Sequence, residues 1–536
     1  MPTHEVGPRA SFQVTPSPSI APVTVGAVTV LQVTPDRDVG ARCEAVVVAV
    51  VSGPRGAEPV GTDPDTDVVR RALRRRGATG RAGEVTVLGV LGPGPGPVIV
   101  AVGLGRPSAP VAGRAGEPPS TPRHDHETLR QAAGAAVRAL AGTASVALAL
   151  PLPDAASVGA AAEGALLGGY AFTRYRTVSP AGAAPPVGEV MLLARDTGPA
   201  VRDAVHRARI VASAVSLARD LVNTPPSDLH PADFAALAAD TAGSVDADLH
   251  ADVLDEAALR AGGFGGIAGV GQGAHHPPRL VRLRYRGAGT RRVALVGKGV
   301  TFDSGGLSLK RPAGMAQMKM DMAGAGAVLA AVRAVAALRL PIGVDAWLPL
   351  AENLPGGGAI RPSDVLTMRN GRRVEVVDTD NEGRLILADA LARAAEERPH
   401  ALVDIATLTS AQIIALGHRI IGVMGNDDRL RAAVLAAARR AGEPAWAMPL
   451  PEHLRPRLDS TIADLANRDP GAGGMLVAGM FLREFVPFDL PWAHLDIAGP
   501  AYHDGEPYGY TPTGGTGAAV RTLVHLIDGL TSADLS

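Results

Sequence analysis

A single cysteine, Cys43, is all this chain has. One thiol cannot close an intrachain disulfide, and a cysteine-ligated metal site needs several, so both frameworks are excluded. Aromatic residues make up only 3% of the chain. Its cores must therefore be built from Ala, Val, Leu and Ile, with backbones brought close at some of its 64 glycines. An excess of either charge is also missing. The 52 Lys and Arg against 53 Asp and Glu leave a formal net charge of −1, which gives no global pull toward nucleic acid or anionic membranes. The first twenty residues, MPTHEVGPRASFQVTPSPSI, lack the basic start and apolar stretch of a secretory signal. They are expected to be disordered. No apolar run reads as long enough to span a bilayer. Together these absences predict a soluble, cytoplasmic protein.

At 536 residues the chain can form two or three domains, each with its own core. Short valine-rich runs such as AVVVAVV (Ala45–Val51), VTVLGVL, PVIVAVGLG and SVALALPL read as strands. They alternate with helical patterns in VVRRALRRRG and ETLRQAAGAAVRALAG. That alternation predicts an α/β fold with a largely parallel sheet covered on both faces. Residues 106–126 are dense in Pro, Gly and polar side chains, and Ser179–Gly188 in Pro, Ala and Gly. Both predict exposed loops or linkers. The reading is two domains: a smaller N-terminal α/β domain over 21–198 and a larger C-terminal α/β catalytic domain over 226–536 with a central mixed sheet. A long helix over 199–225 connects them and stops at NTPPSD, where two prolines end it.

Two segments concentrate charge where strands should be entering a core. VALVGKGVTFDSGGLSLK (Val293–Lys310) runs on toward MKMDMAGAGAVL (Met318–Leu329), and VVDTDNEGRLILADAL (Val376–Leu391) follows. Lys298, Asp303, Lys310, Asp321, Asp380, Glu382 and Arg384 read as one cluster. Asp and Glu are seldom fully buried unless paired or on a metal. Glycines after Asp303 allow a tight turn and a close approach. Asp380 and Glu382 are two apart, so an extended stretch would point both to one side. Hard oxygen ligands without thiolates suit Mg²⁺, Mn²⁺ or Zn²⁺, and four carboxylates are enough for two ions. Lys298 and Lys310 are candidates for a neutral metal ligand and for a charged oxyanion stabiliser, and Arg384 for an anion anchor.

These residues resemble the leucine aminopeptidase family, the M17 type or cytosol aminopeptidases. The family hallmark NTDAEGRL stands here as DTDNEGRL (Asp378–Leu385). ARDLVNTPPSDLHP, PPRLVRLRY, VGKGVTFDSGGLSLK, MKMDMAGAGAVL, DIATLTSA and HLDIAGPA follow family segments in family order, over roughly residues 210–525. The resemblance implies one metal on Asp303, Asp380 and Glu382, aided by the Asp380 main-chain carbonyl. A second would sit on Lys298, Asp303, Asp321 and Glu382. It implies that Lys310 binds the scissile carbonyl oxygen and that Arg384 holds a bicarbonate taking a proton from a water or hydroxide bridging the metals. It places the substrate α-amine near Asp321, and Met318, Thr407 and Leu408 around the first side chain. The expected activity is release of N-terminal, preferentially apolar residues such as leucine from peptides, by a homohexamer built as a dimer of trimers. Asp378 and Asn381 depart from the hallmark at positions facing the leaving residue. The extra carboxylate of Asp378 predicts a bias toward a basic second residue. Ser410, where the family usually has Gly, predicts a narrower first pocket.

Other features carry less. RRALRRR (Arg70–Arg76) reads as a solvated helix face. It is the sole support for the alternative of a DNA-binding or architectural hexamer with secondary peptidase activity. His275 and His276 read as exposed and without an acidic partner. His494 reads as a satisfied core histidine. GVGQG (Gly269–Gly273) is discounted as a nucleotide loop, and GGTG (Gly514–Gly517) reads as the approach to a helix.

Overall fold

The computed structural model describes residues 29–36, 38, 42–60, 66–91, 96–106, 124–176, 184–468 and 471–531. The expectations for residues 1–20, for most of the 106–126 segment and for half of the 179–188 segment lie outside these.

The N-terminal sheet has seven strands: β1 (Val30–Thr34), β2 (Ala45–Gly53), β3 (Gly56–Pro59), β4 (Val85–Val90), β5 (Val98–Gly103), β6 (Ser145–Ala149) and β7 (Glu189–Leu193). Their order is β1-β7-β6-β2-β5-β4, with β3 folded back on β2. The core pairings are parallel, while β3 and β4 join antiparallel at the sides. The valine-rich β2 sits centrally because β-branched side chains fit a pleated surface buried on both faces. The scarcity of aromatics shows in the helices that cover the sheet. His126–Ala139 and Ala155–Gly168 pack backbone to backbone. A Cβ on Gly164 would lie 2.1 Å from the Arg130 carbonyl oxygen, and one on Gly168 2.3 Å from that of Gly134. Only glycine permits this approach.

The connecting helix runs Pro199–Asn223, with proline in its first turn and Thr224-Pro225 after its end. It packs on Ala155–Gly168 on one side and on Ala323–Ala337 on the other. Its Arg219, 1% exposed, donates to three carbonyls from three segments: Thr516 at 3.0 Å, Leu167 at 2.9 Å and Tyr510 at 3.0 Å.

The C-terminal sheet is mixed and has nine strands: β8 (Leu249–Leu254), β9 (Arg279–Tyr285), β10 (Arg292–Gly297), β11 (Gly299–Asp303), β12 (Gly343–Asn353), β13 (Ala401–Ala406), β14 (Ile421–Gly425), β15 (Ala445–Ala447) and β16 (Trp492–Asp496). The order is β15-β14-β16-β13-β10-β12-β9-β8, with β11 beside β12. Alternation along β10 sends Val293 and Leu295 into the core under Ala323–Ala337. Ala294 and Val296 enter the one under Gly383–Glu396. The parallel strands β10, β11, β12 and β13 end at Gly297, Asp303, Asn353 and Ala406. Ligands of open α/β sheets bind at such carboxyl ends.

Three expectations need correction. The segment Pro312–Ala337 contains an 18-residue window apolar enough to cross a membrane, yet 89% of that window is buried. It is also broken at Gly314, whose φ is +97°, so it is a core helix preceded by a turn. Gly514–Gly515 is not a helix approach but a short strand paired with Tyr502–His503, and the helix starts only at Val520. His276 is not without an acidic partner: its Nδ1 lies 3.1 Å from Glu352 Oε2. That pairing could not be read from spacing, because the two residues meet only through the fold. GVGQG begins inside the helix Gly265–Gly271, and His494 is fully buried with Nδ1 at 2.5 Å from Asp404.

Candidate metal centre

Each charged residue of the cluster is delivered by a strand end or a turn. Lys298 follows β10, Asp303 closes β11, and Asp321 ends the short helix Ala316–Met320. Asp380 lies in a turn, and Glu382 is the residue before the helix Gly383–Glu396. Asp380 and Glu382 are thus not neighbours on an extended strand, as their spacing had suggested. They converge because the turn folds Asp380 back just ahead of Glu382, which caps the start of the helix. Ligand atoms of Asp303, Asp380 and Glu382 all lie within 4.8 Å of one another.

Lys298 Nζ donates to Asp321 Oδ1 at 2.8 Å and to the Thr407 carbonyl at 3.1 Å, and pairs with Glu382 Oε1 at 2.9 Å. Lys310 Nζ lies 2.8 Å from Asp303 Oδ2 and 2.5 Å from Asp380 Oδ1. Burial alone would push both ammonium groups down. The facing carboxylates outweigh it and hold them above their ordinary range. Burial, reinforced by Glu382, raises the Asp303 carboxyl to about 6. Burial likewise lifts Asp321 well above its usual value. Burial would also raise Glu382, but Lys298 and Lys310 reverse the direction. Cationic charge is thus what this pocket demands, and the two lysines supply only part of it. Asp321 Oδ2 and Glu382 Oε2 are buried with no hydrogen-bond partner. A buried carboxylate oxygen without a donor is costly, so the residues present fit divalent ions.

Arg384 Nη1 donates to the Asn467 carbonyl at 2.8 Å, while its Nε is buried and unpartnered. Burial lowers the guanidinium to about 10. Thr407 Oγ1 donates to Asp321 Oδ1 at 2.7 Å, Leu408 N–H donates to Asp496, and Met318 is half-buried against the core. Asp378 is not a free acid. Its Oδ2 accepts from Arg468 Nη1 at 2.6 Å and from Asn381 Nδ2 at 2.9 Å. The charge expected to attract a basic second residue is therefore already balanced by Arg468.

Sequence reasoning missed the residues that tie these loops together. Asn353 Nδ2 donates to Asp303 Oδ1 at 2.8 Å and to the Thr379 carbonyl at 2.9 Å. Thr379 Oγ1 donates to the Gly305 carbonyl and accepts from Ser308 N–H. Asn467 Oδ1 accepts from Val377 and Asp378 N–H groups, and its Nδ2 donates to the Asp378 carbonyl. A signal existed only for Asn353, a polar Glu-Asn pair ending the apolar run DAWLPLAEN.

A carboxylate and lysine cluster at the carboxyl ends of an α/β sheet defines a metal-dependent hydrolase. The sequence comparisons narrow this further. Residues 216–524 match the catalytic domain of the cytosol aminopeptidase family, and residues 62–179 its N-terminal domain. A probable cytosol aminopeptidase of Streptomyces avermitilis is 50% identical over 509 residues, covering 92% of this chain and 98% of the relative. Another, from Leifsonia xyli, is 55% identical over 420 residues, covering 75% and 83%. Among solved structures, the bottromycin maturation enzyme BotP in complex with Mn is 40% identical, with a TM-score of 0.79 over 91% of this chain and all of that one. A mutant tomato leucine aminopeptidase is 29% identical, with a TM-score of 0.80 over 94% and 97%. The chain belongs to the cytosol aminopeptidase family and is a metal-dependent aminopeptidase. None of these similarities carries the DNA-binding alternative, and Arg70 is already paired with Glu58 and Asp67.

Proposed function

We propose that this enzyme removes N-terminal residues, preferentially apolar ones such as leucine, from peptides in the cytoplasm. The observation that carries the reading is the set of buried Asp303, Asp321 and Glu382 with the partly exposed Asp380, whose excess negative charge two lysines only partly balance. Two divalent ions, Mn²⁺ or Zn²⁺ with Mg²⁺ as a further option, supply Lewis acidity and an activated water when bound. Asp303, Asp380 and Glu382 would hold one, and Lys298, Asp303, Asp321 and Glu382 the other.

The remaining tasks fall to the chain itself. Lys310 is half-buried at the rim of the cluster, where its ammonium can meet the scissile carbonyl oxygen and stabilise the charge that develops there. Asp321 Oδ2, buried and without a donor, suits a substrate α-ammonium, which would restrict cleavage to the first peptide bond. Arg384, with its unpartnered Nε, would anchor bicarbonate as the acceptor of the water's proton. Met318, Thr407 and Leu408 would border the first side chain, with Asp378 and Asn381 toward the leaving residue. The assembly is read as a homohexamer, a dimer of trimers, by likeness to the family alone.

The test is hydrolysis of leucine p-nitroanilide by chelator-treated enzyme, before and after adding back Mn²⁺ or Zn²⁺, with Glu382→Ala as control. Activity lost with the metal, regained on add-back and absent in the variant is the expected result. Activity that survives both chelation and the substitution overturns the reading.

A further inference from the structure

A second group of ligand-type side chains lies on the neighbouring position of β12. His230, ahead of the helix Pro231–Gly243, His276, in the loop before β9, and Glu352, the penultimate residue of β12, offer ligand atoms within 4.8 Å of one another. Glu352 Oε1 lies 2.8 Å from His230 Nδ1, and Oε2 lies 3.1 Å from His276 Nδ1. The Glu352 side chain is only 4% exposed. The two imidazoles stack with centroids 3.4 Å apart and planes 19° from parallel.

We propose that His230, His276 and Glu352 form a third divalent-cation site, separate from the dinuclear centre and suited to a borderline ion such as Zn²⁺. The argument begins with Glu352. A carboxylate this buried needs a cation, and its ion-pair partners among the described residues are the two histidines. One divalent ion meets the demand of all three groups, and two imidazoles with one carboxylate are a ligand set that zinc accepts. Zinc ligand bonds of about 2.0–2.2 Å put neighbouring ligand atoms roughly 3.3 Å apart. The two carboxylate–imidazole separations, 2.8 and 3.1 Å, are a few tenths of an ångström short of that. The rings must also tilt apart to aim at one ion. His276 has room to do so, being 38% exposed in its loop, and that open side leaves a position for water.

The dinuclear centre has no histidine, so the two sites differ in chemistry as well as place. They are nevertheless linked. Glu352 precedes Asn353, whose amide holds Asp303. Alternation along the strand sends the two side chains to opposite faces. An ion at the histidine site would pin the strand end, the Pro277-Pro278 loop and the start of the helix Pro231–Gly243 together.

The experiment compares the full chain with His276→Asn and His230→Ala. Each protein is equilibrated with buffered Zn²⁺, metal is counted per chain, and zinc X-ray absorption reads the ligands. The wild type is expected to hold one more equivalent than either variant and to show imidazole scattering that both variants lose. Melting temperature should rise with Zn²⁺ by a larger amount in the wild type. Equal metal counts with no imidazole signature in the wild type overturn the proposal. So does loss of both dinuclear ions along with the third in the variants, since the change would then not be local. None of the three readouts requires hydrolysis, so the proposal stands or falls independently of the peptidase reading.

Discussion

Asn353→Ala should weaken metal binding without replacing any residue proposed to hold the metal. The side chain is 2% exposed, and its amide nitrogen donates to the Asp303 carboxylate at 2.8 Å and to the Thr379 carbonyl at 2.9 Å. A hydrogen bond to a charged group contributes about 1.5–3 kcal/mol, and one between neutral groups about 0.5–1.5 kcal/mol. Truncation removes both, but Asp303 Oδ1 keeps the Gly305 N–H at 2.8 Å. The Asp380 turn keeps Thr379 Oγ1 on Gly305 and Asn467 on the Asp378 carbonyl. The part that reaches the metal is the lost orientation of Asp303 and of the Asp380 turn. Outer partners of this kind are typically worth 10–100-fold in metal affinity, or about 1.4–2.8 kcal/mol. Leucine p-nitroanilide hydrolysis would be followed across Mn²⁺-buffered solutions, with melting temperature as the control for folding. The midpoint in free Mn²⁺ should rise by that factor, and most of the activity should return at saturating metal. An unchanged midpoint in a folded variant would refute the argument that Asn353 positions Asp303.

Arg468→Ala should release the Asp378 carboxylate from its 2.6 Å pair and raise kcat/KM for dipeptides with lysine in second place relative to leucine. Asp378→Asn, by contrast, should leave that ranking unchanged, so a ranking altered by Asp378→Asn alone would contradict the pairing. Acid stability offers a further check at His525. Burial pushes this imidazole down to about 4 from an ordinary 6.5, with Glu163, Arg207, Arg130 and Arg440 around it. The unfolded chain then binds the extra proton between those values, so stability falls as pH drops from about 6.5 to about 4. For a half-buried group this amounts to roughly 1–2 kcal/mol after solvent screening. His525→Leu should flatten the decline in melting temperature over that window, and an equal decline in the variant would show that other groups cause it.

The clustered carboxylates were legible in advance because each sits in a short segment whose local chemistry is unusual. TFDSGG and DTDNEG put acids beside glycines directly after valine-rich runs. The strand and helix alternation of both domains was legible for a similar reason, since hydrophobic period is a local property. Even there, local logic misjudged how Asp380 and Glu382 converge, because it assumed an extended backbone where a helix begins. GGTG was misread as well. Its glycines serve a short strand: a Cβ on Gly514 would meet Asn223 Oδ1 at 2.4 Å, and Asn223 lies 292 residues from its partner Gly515.

By itself the sequence determined which elements form, which ends of them carry charge, and which family motifs they match. Only the tertiary structure decided who answers those charges. Arg468 neutralises Asp378 across 90 residues, Asn353 holds Asp303 across 50, and His230 meets Glu352 across 122. Short-range pattern fixes backbone conformation because torsions and hydrogen bonds within an element depend on neighbours along the chain. The partner of a buried charge is fixed instead by desolvation, which acts on whatever the packed sheet brings within reach.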